Sequence, residues 1–99
     1  MRQIQSKHKI DTEFHVLDLS EPTVINFEKQ IEDIIVTSPE GDILIGWDYE
    51  RDEDFTPDNC MLLREGDKMK EISKERCTKF YLMPKEPGQV LRVYVTAQK

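Results

Sequence analysis

The sequence has few cysteines and histidines and no long apolar run, and each shortage excludes a class of protein. Cys60 and Cys77 are too few for the disulfide framework of a small secreted fold, so we expect reduced, buried thiols. His8 and His15 are the only histidines, and we expect them to be solvated or to lie at strand edges rather than in a zinc site. No stretch reaches the roughly 20 apolar residues of a membrane span, and the N-terminal residues lack the apolar core of a signal peptide. We therefore expect no membrane insertion, no export by a signal peptide and a cytoplasmic location.

Clustered positive charge is also scarce. The chain has 14 Lys and Arg against 20 Asp and Glu, and its formal net charge is -6. Its densest basic stretches, 68–70 and 74–79, are interrupted or followed by Glu71 and Glu75. Phosphate binding needs contiguous Lys and Arg side chains. We therefore expect no direct nucleic-acid partner.

Apolar and polar residues alternate with a period of two along most of the chain, which is typical of β-strands. Leu91, Val93 and Val95 show this alternation near the C-terminus, and glycine and proline supply turns between the segments. A length of 99 residues allows one domain. The sequence thus predicts an all-β protein, a single antiparallel, jelly-roll-like β-sandwich over residues 1–99. The predicted strands span residues 3–9, 12–19, 23–28, 31–37, 42–48, 60–64, 68–72, 77–83 and 89–97.

Four of these strands contain apolar runs without alternation, at residues 34–36, 43–45, 61–63 and 80–83. A strand that is apolar on both sides needs cover on both faces of its sheet, and no helix is predicted to supply it. Contiguous apolar surface marks interaction sites, and a second copy of the same chain is the commonest partner. We therefore expect self-association or docking on another protein. A thick core in a tightly curled barrel is the alternative.

The segment 47–59, WDYERDEDFTPDN, places six carboxylates beside three aromatic rings between two predicted strands. Acidic and aromatic side chains concentrated in one loop favour recognition of a basic protein partner. The sequence thus predicts a partner-binding loop that takes no part in catalysis. Its predicted binding residues are Trp47, Asp48, Tyr49, Glu50, Asp52, Glu53, Asp54, Phe55 and Asp58.

Two chemical alternatives for this loop use its carboxylates. Asp48, Glu50 and Asp52 follow the first half of a calcium loop, but Glu53 stands where that loop needs glycine and Asn59 where it needs a bidentate glutamate. An irregular calcium site stays open beside a solvated acidic loop. Glycoside hydrolysis needs one carboxyl group shielded in an apolar pocket, which such a loop does not supply. We predict no catalytic residue, no metal site and no cofactor.

A carbohydrate-binding module is the alternative function. Trp47 and Tyr49 stand two residues apart, which predicts that both rings lie on one face at a strand end. Rings flanked by carboxylates hold sugars in β-sandwich modules by stacking and hydrogen bonds. The opposing interpretation is structural, with Trp47 capping the core and Tyr49 lying over it. A third candidate is a cytoplasmic regulatory protein whose acidic loop mimics nucleic acid.

Four short motifs follow one another between residues 42 and 96. They are Leu-Ile-Gly at 44–46, Leu-Arg-Glu-Gly at 63–66, Phe-Tyr-Leu at 80–82 and Gly-Gln-Val-Leu-Arg-Val at 88–93. In this order they resemble small accessory proteins of tailed bacteriophages. The resemblance implies a jelly-roll-like virion component, such as a head decoration, fibre or head-tail accessory protein. It further implies a structural, non-enzymatic role through self-association and docking on other virion proteins, with a location in the host cytoplasm and the virion.

Overall fold

Nine β-strands make up almost all of the regular structure in the computed structural model, which describes residues 1–6, 11–72 and 77–99. A single 3-10 turn, Asp52–Asp54, lies in the connection between the fifth and sixth strands. None of the described residues belongs to a helix long and apolar enough to cross a membrane. The strands are β1 Arg2–Gln5, β2 Thr12–Leu19, β3 Thr23–Asn26, β4 Asp33–Thr37, β5 Ile43–Trp47, β6 Met61–Leu63, β7 Lys68–Ile72, β8 Lys79–Pro84 and β9 Leu91–Gln98.

The strands form two sheets that face each other across one core. The five-stranded sheet has the order β1-β3-β8-β5-β6 and the four-stranded sheet the order β2-β9-β4-β7. The predicted all-β sandwich is confirmed, and each predicted strand overlaps an observed one. Residues 7–9 of the first predicted strand lie outside the described residues. The pairing is antiparallel except between β1 and β3, which run parallel, and β2, which lies between them in the chain, belongs to the other sheet.

The core between the sheets is built from the inward-facing half of each alternating strand. Every second residue of β9, from Leu91 to Ala97, is buried, and the residues between them are half-buried or exposed. Burying one such side chain contributes about 1.5–3 kcal/mol relative to leaving it in water. The core residues are Leu17, Leu19, Ile25, Phe27, Ile31, Ile34, Val36, Ile43, Ile45, Leu63, Cys77, Phe80, Leu82, Leu91, Val93, Val95 and Ala97.

A group of polar side chains is buried with the inward face of β2. Glu13 accepts a hydrogen bond of 3.0 Å from the Ser6 hydroxyl, and its carboxylate lies 3.0 Å from Nζ of Lys99. The ring of His15 lies on the same face, with Nε2 3.5 Å from Oε1 of Glu13 and only 9% of the side chain exposed. His15 lies on an edge strand of its sheet, as one part of the prediction has it. The other part, a solvated side chain, is wrong, because position 15 shares the inward phase of β2. His8 lies outside the described residues.

Candidate functional site

The connection between β5 and β6, residues 48–60, folds back over the outer face of the five-stranded sheet. Its Phe55 is buried on that face, and Tyr49 and Cys60 pack beside it. The covered side chains come from β3, β5 and β8, so the chain itself covers the second face of the apolar runs at 43–45 and 80–83. The residues buried in this outer cluster are Val24, Leu44, Phe55, Tyr81 and Met83.

Three aromatic rings hold the connection against the sheet. The Tyr81 ring centroid lies 5.1 Å from that of Tyr49 in an edge-to-face arrangement and 5.4 Å from that of Phe55. Tyr49 and Phe55 also contact each other, at 5.8 Å. Aromatic pairs at these distances contribute about 0.5–1.5 kcal/mol each beyond the area they bury. Gly46 permits the approach of Tyr49, because a Cβ atom at position 46 would meet Cε2 of Tyr49 at 2.7 Å.

Asp52 ties the connection to two strands of the sheet. Its Oδ1 accepts a hydrogen bond of 2.7 Å from the Tyr81 hydroxyl and its Oδ2 one of 3.2 Å from Nε2 of Gln3, while Nζ of Lys79 lies 3.8 Å away. The Tyr81 hydrogen bond is the main reason that the pKa of Asp52 falls below its usual value. Burial and then the hydrogen bond to Asp52 raise the pKa of Tyr81. Asp52 is therefore an ionised anchor of the loop.

The remaining internal hydrogen bonds close the connection on itself. Asp54 accepts a hydrogen bond from the backbone N–H of Arg51 and pairs with its guanidinium group, each at 3.3 Å. Nδ2 of Asn59 donates to the carbonyl oxygen of Asp54 at 2.9 Å, and the Tyr49 hydroxyl donates to the carbonyl oxygen of Asn59. The nine predicted binding residues thus divide into two groups. Five residues have structural contacts: Trp47, Tyr49, Asp52, Asp54 and Phe55. The other four are exposed and form no ion pair with the described residues: Asp48, Glu50, Glu53 and Asp58.

A pocket of about 420 Å³ opens where the connection leaves β5 and returns to β6, and we call it the neck pocket. Trp47, Asp48 and Tyr49 line it on the side of β5 and the start of the connection. Cys60 and Met61 form the side that adjoins β6. Its full lining is Gly46, Trp47, Asp48, Tyr49, Asn59, Cys60 and Met61.

Trp47 and Tyr49 do not lie on one face, contrary to the prediction. Trp47 stacks on Phe80 of the core between the sheets, with ring centroids 6.0 Å apart, whereas Tyr49 packs against the outer cluster. The backbone changes direction at Asp48, whose φ of 66° places it in the left-handed region that aspartate tolerates better than most residues. The two rings therefore approach the neck pocket from different sides of the sheet and form no flat platform for a sugar ring.

The candidate calcium ligands from the sequence do not converge on one site. Asp52 bonds to Tyr81, whereas Asp48 lines the neck pocket. Over residues 1–6, 11–72 and 77–99 there is no group of three His, Cys, Asp or Glu side chains arranged to hold a metal ion.

Both cysteines are free thiols in unlike surroundings. Cys77 lies in the core, and burial, with a smaller effect of the Asp48 charge, raises its pKa to about 12. Cys60 is half-buried beside the neck pocket, and burial and the Asp58 charge raise its pKa. Since the thiolate is the reactive form, both side chains are weak nucleophiles at neutral pH.

The sequence analysis did not predict one exposed apolar surface. The outer face of the four-stranded sheet carries Phe14, Val16 and Tyr94, with 70%, 59% and 42% of their surface exposed. The sequence does indicate this surface. Within β2 the apolar residues change from even positions, 14 and 16, to odd positions, 17 and 19. Such a change gives one strand apolar side chains on both faces.

Two facing sheets around one apolar core define a β-sandwich, an architecture that double-sheet jelly rolls such as the cupins share. In agreement, the chain is similar to the crystal structure of a cupin-2 domain containing protein from Shewanella frigidimarina NCIMB 400. The TM-score is 0.51 with 12% identical residues, over 94% of this chain and 76% of that one. At this identity the similarity shows the fold alone. No protein-family model and no curated protein matches the chain.

The predicted bacteriophage virion protein is wrong, because the structural similarity leads to a cupin-2 domain protein instead. Local backbone geometry explains the motifs that suggested it. Gly66 and Gly88 have φ of 80° and 85° in turns, and Gly46 lies beneath Tyr49. Such glycines are common to many β-sandwiches, since they meet steric needs of turns and close contacts rather than those of one function.

Proposed function

We propose that this chain is a non-catalytic binding domain whose neck pocket receives a lysine or arginine side chain of a partner protein. The observation that carries the proposal is that two aromatic residues, Trp47 and Tyr49, and the exposed acidic residue Asp48 line one pocket. Aromatic rings and a carboxylate together attract a cation more strongly than either group alone.

The energetics favour a cationic ligand over a neutral one. A cation within about 6 Å of a ring centroid gains roughly 0.5–2 kcal/mol, depending on how far it is desolvated. Asp48 adds a charge interaction at the pocket wall, and the formal net charge of -6 draws basic partners toward the chain. A volume of about 420 Å³ is large enough for one long basic side chain.

The basic residues in and next to the loop form ion pairs with acidic residues other than Asp48. This supports a cation supplied by a partner protein. Lys79 pairs with Asp52 and Arg51 pairs with Asp54. The lining of the neck pocket includes no Lys or Arg among the described residues. Asp48 is therefore left to a ligand.

The shifted pKa values of titratable side chains in and near the loop support binding rather than catalysis. A nucleophilic cysteine needs a lowered pKa, whereas the pKa values of Cys60 and Cys77 are raised. A general acid at neutral pH needs a raised carboxyl pKa, whereas that of Asp52 is lowered. Each shift is opposite in direction to the one that catalysis would use.

Calorimetric titration with defined peptides tests the proposal. Lysine-rich and arginine-rich peptides are compared with acidic and uncharged peptides of equal length, on the parent chain and two variants. Asp48→Asn removes the pocket charge and suits the left-handed backbone, whereas Glu50→Gln removes an exposed loop charge outside the pocket. We expect a basic peptide to bind and Asp48→Asn to weaken it about tenfold, equivalent to about 1.4 kcal/mol, with less than a twofold effect of Glu50→Gln. Equal effects of the two variants, or no binding of either basic peptide, would contradict the proposal.

A further inference from the structure

The two outer faces of the sandwich differ in what covers them. The loop with Phe55 and Tyr49 covers the outer face of the five-stranded sheet. The outer face of the four-stranded sheet leaves Phe14, Val16 and Tyr94 exposed on neighbouring strands. Three large apolar side chains next to one another on one sheet face mark an interaction surface.

We propose that this face binds a second copy of the chain in a symmetric dimer. The register between β2 and β9 is the reason for choosing a second copy as the binding partner. Phe14 is paired with Thr96, Val16 with Tyr94, and Asp18 with Arg92. The last pair has opposite charges, with Nε of Arg92 3.5 Å from Oδ1 of Asp18.

Consider two copies whose four-stranded sheets face each other, related by a two-fold axis parallel to the strands. The axis lies between the two sheets, at the midpoint between β2 and β9, so β2 of one copy lies opposite β9 of the other. Rotation about this axis does not move a residue along the strand direction, so each residue faces its own cross-strand partner in the second copy. Asp18 then faces Arg92 of the other copy, and Val16 faces Tyr94. The surface is therefore complementary to itself in charge and in apolar contact, as a two-fold interface requires.

Electrostatics favour this occupant over a basic protein. Asp18 and Arg92 neutralise each other at this face, although the chain carries a formal net charge of -6. Two copies can thus meet here without facing like charges. Aligned packing of two sheets about 10 Å apart is a common arrangement of β-proteins. This dimer does not depend on the neck pocket, which lies at an end of β5 in the other sheet.

Sedimentation equilibrium over a concentration series tests the dimer. We expect the mass to rise from 11.7 kDa toward twice that value with increasing concentration. Val16→Lys should weaken association at least tenfold, whereas Leu62→Lys, at an exposed apolar position of the other sheet, should leave it unchanged. A chain that stays monomeric at several hundred micromolar, or a dimer that Val16→Lys leaves intact, would overturn the proposal.

A charge exchange tests the two-fold geometry itself. Asp18→Arg alone and Arg92→Asp alone should each weaken the dimer, because like charges then face each other across the interface. The double variant Asp18→Arg/Arg92→Asp should restore association to within about threefold of the parent. Thermal melts of the separate variants check that each one folds. Failure of the double variant to restore association would overturn this arrangement.

Discussion

The Tyr81 hydroxyl donates a hydrogen bond of 2.7 Å to Oδ1 of Asp52, and this bond joins the middle strand of the five-stranded sheet to the acidic loop. Tyr81 is buried and its ring contacts both Tyr49 and Phe55. The Tyr81 side chain therefore holds the loop in two ways: its ring packs under the loop, and its hydroxyl bonds to Asp52. The loop is built as part of the fold, and its exposed carboxylates project from a fixed base.

Removal of the Tyr81 hydroxyl tests this anchor. Tyr81→Phe should lower the free energy of unfolding at pH 7 by about 1 kcal/mol, because the Asp52 carboxylate loses its shortest hydrogen bond. Tyr94→Phe, at an exposed tyrosine on the other sheet, is the matched control and should change it by less than about 0.5 kcal/mol. Urea denaturation of dilute protein measures both variants. A Tyr81→Phe variant as stable as the control would refute the anchoring role.

The same bond predicts a pH dependence. The lowered pKa of Asp52 contributes stability that is present above the ordinary carboxyl pKa of 3.8 and is lost as pH falls through the lowered value. The raised pKa of Tyr81 contributes stability that is present below the ordinary phenol pKa of 10.0 and is lost as pH rises above it. Tyr81→Phe should therefore flatten the acid limb and the alkaline limb of the stability profile. Unchanged slopes on both limbs would show that the bond does not contribute.

Phe55 is the apolar centre of the loop, and its truncation should uncover the sheet. Phe55→Ala should cost about 3 kcal/mol, near the lower end for buried phenylalanine, since the outer cluster lies close to solvent. Leu62→Ala, on the exposed edge strand of the same sheet, should cost less than about 1 kcal/mol. Chemical denaturation compares the two variants. Similar losses would mean that the loop contributes little to the fold.

Gly46 tests the fit between strand and loop. Gly46→Ala should destabilise the chain by about 1–3 kcal/mol, because the new Cβ forces the Tyr49 ring away from Tyr81 and Phe55. Adding Tyr49→Ala removes the clash, so the double variant should be less destabilised than the sum of the single variants. A double-mutant cycle from denaturation data measures this coupling. Strictly additive effects would contradict the contact.

Thiol accessibility should separate the two cysteines. In the native protein a thiol reagent should modify Cys60 slowly, since its pKa is raised but its side chain is partly accessible. Cys77, buried and with a pKa of about 12, should react only after unfolding. Counting modified thiols with and without denaturant checks the prediction. Rapid native modification of Cys77 would contradict its place in the core.

The strands were predictable because their periodicity depends on local alternation, which burial on one face imposes. β9, with inward Leu91, Val93 and Val95, is the clearest case. The parallel pairing of β1 with β3 was not predictable, since no residue of either strand specifies its neighbour. The inward position of His15 was missed because its partner Glu13 is buried by a pairing with Lys99, which comes from the far end of the chain.

The sequence located the loop between its two strands but did not predict the contacts of its side chains. The loop boundaries at 47–59 were visible from the density of acidic residues and the strands on either side. The difference between Asp52, which bonds to Tyr81, and Asp48, which lines a pocket, depends on contacts with a distant strand. The left-handed backbone at Asp48, which separates Trp47 from Tyr49, is likewise invisible in a period-two pattern.

The central claim, that the neck pocket receives a cationic side chain, is tested most directly by NMR on the single tryptophan of the chain. The indole N–H of Trp47 gives one isolated signal in a ¹⁵N spectrum. We predict that a lysine-rich or arginine-rich peptide shifts this signal together with the backbone amides of Asp48 and Tyr49, and that an acidic peptide does not. A basic peptide that leaves the Trp47 indole signal in place, or that shifts only amides far from the pocket, would contradict the claim.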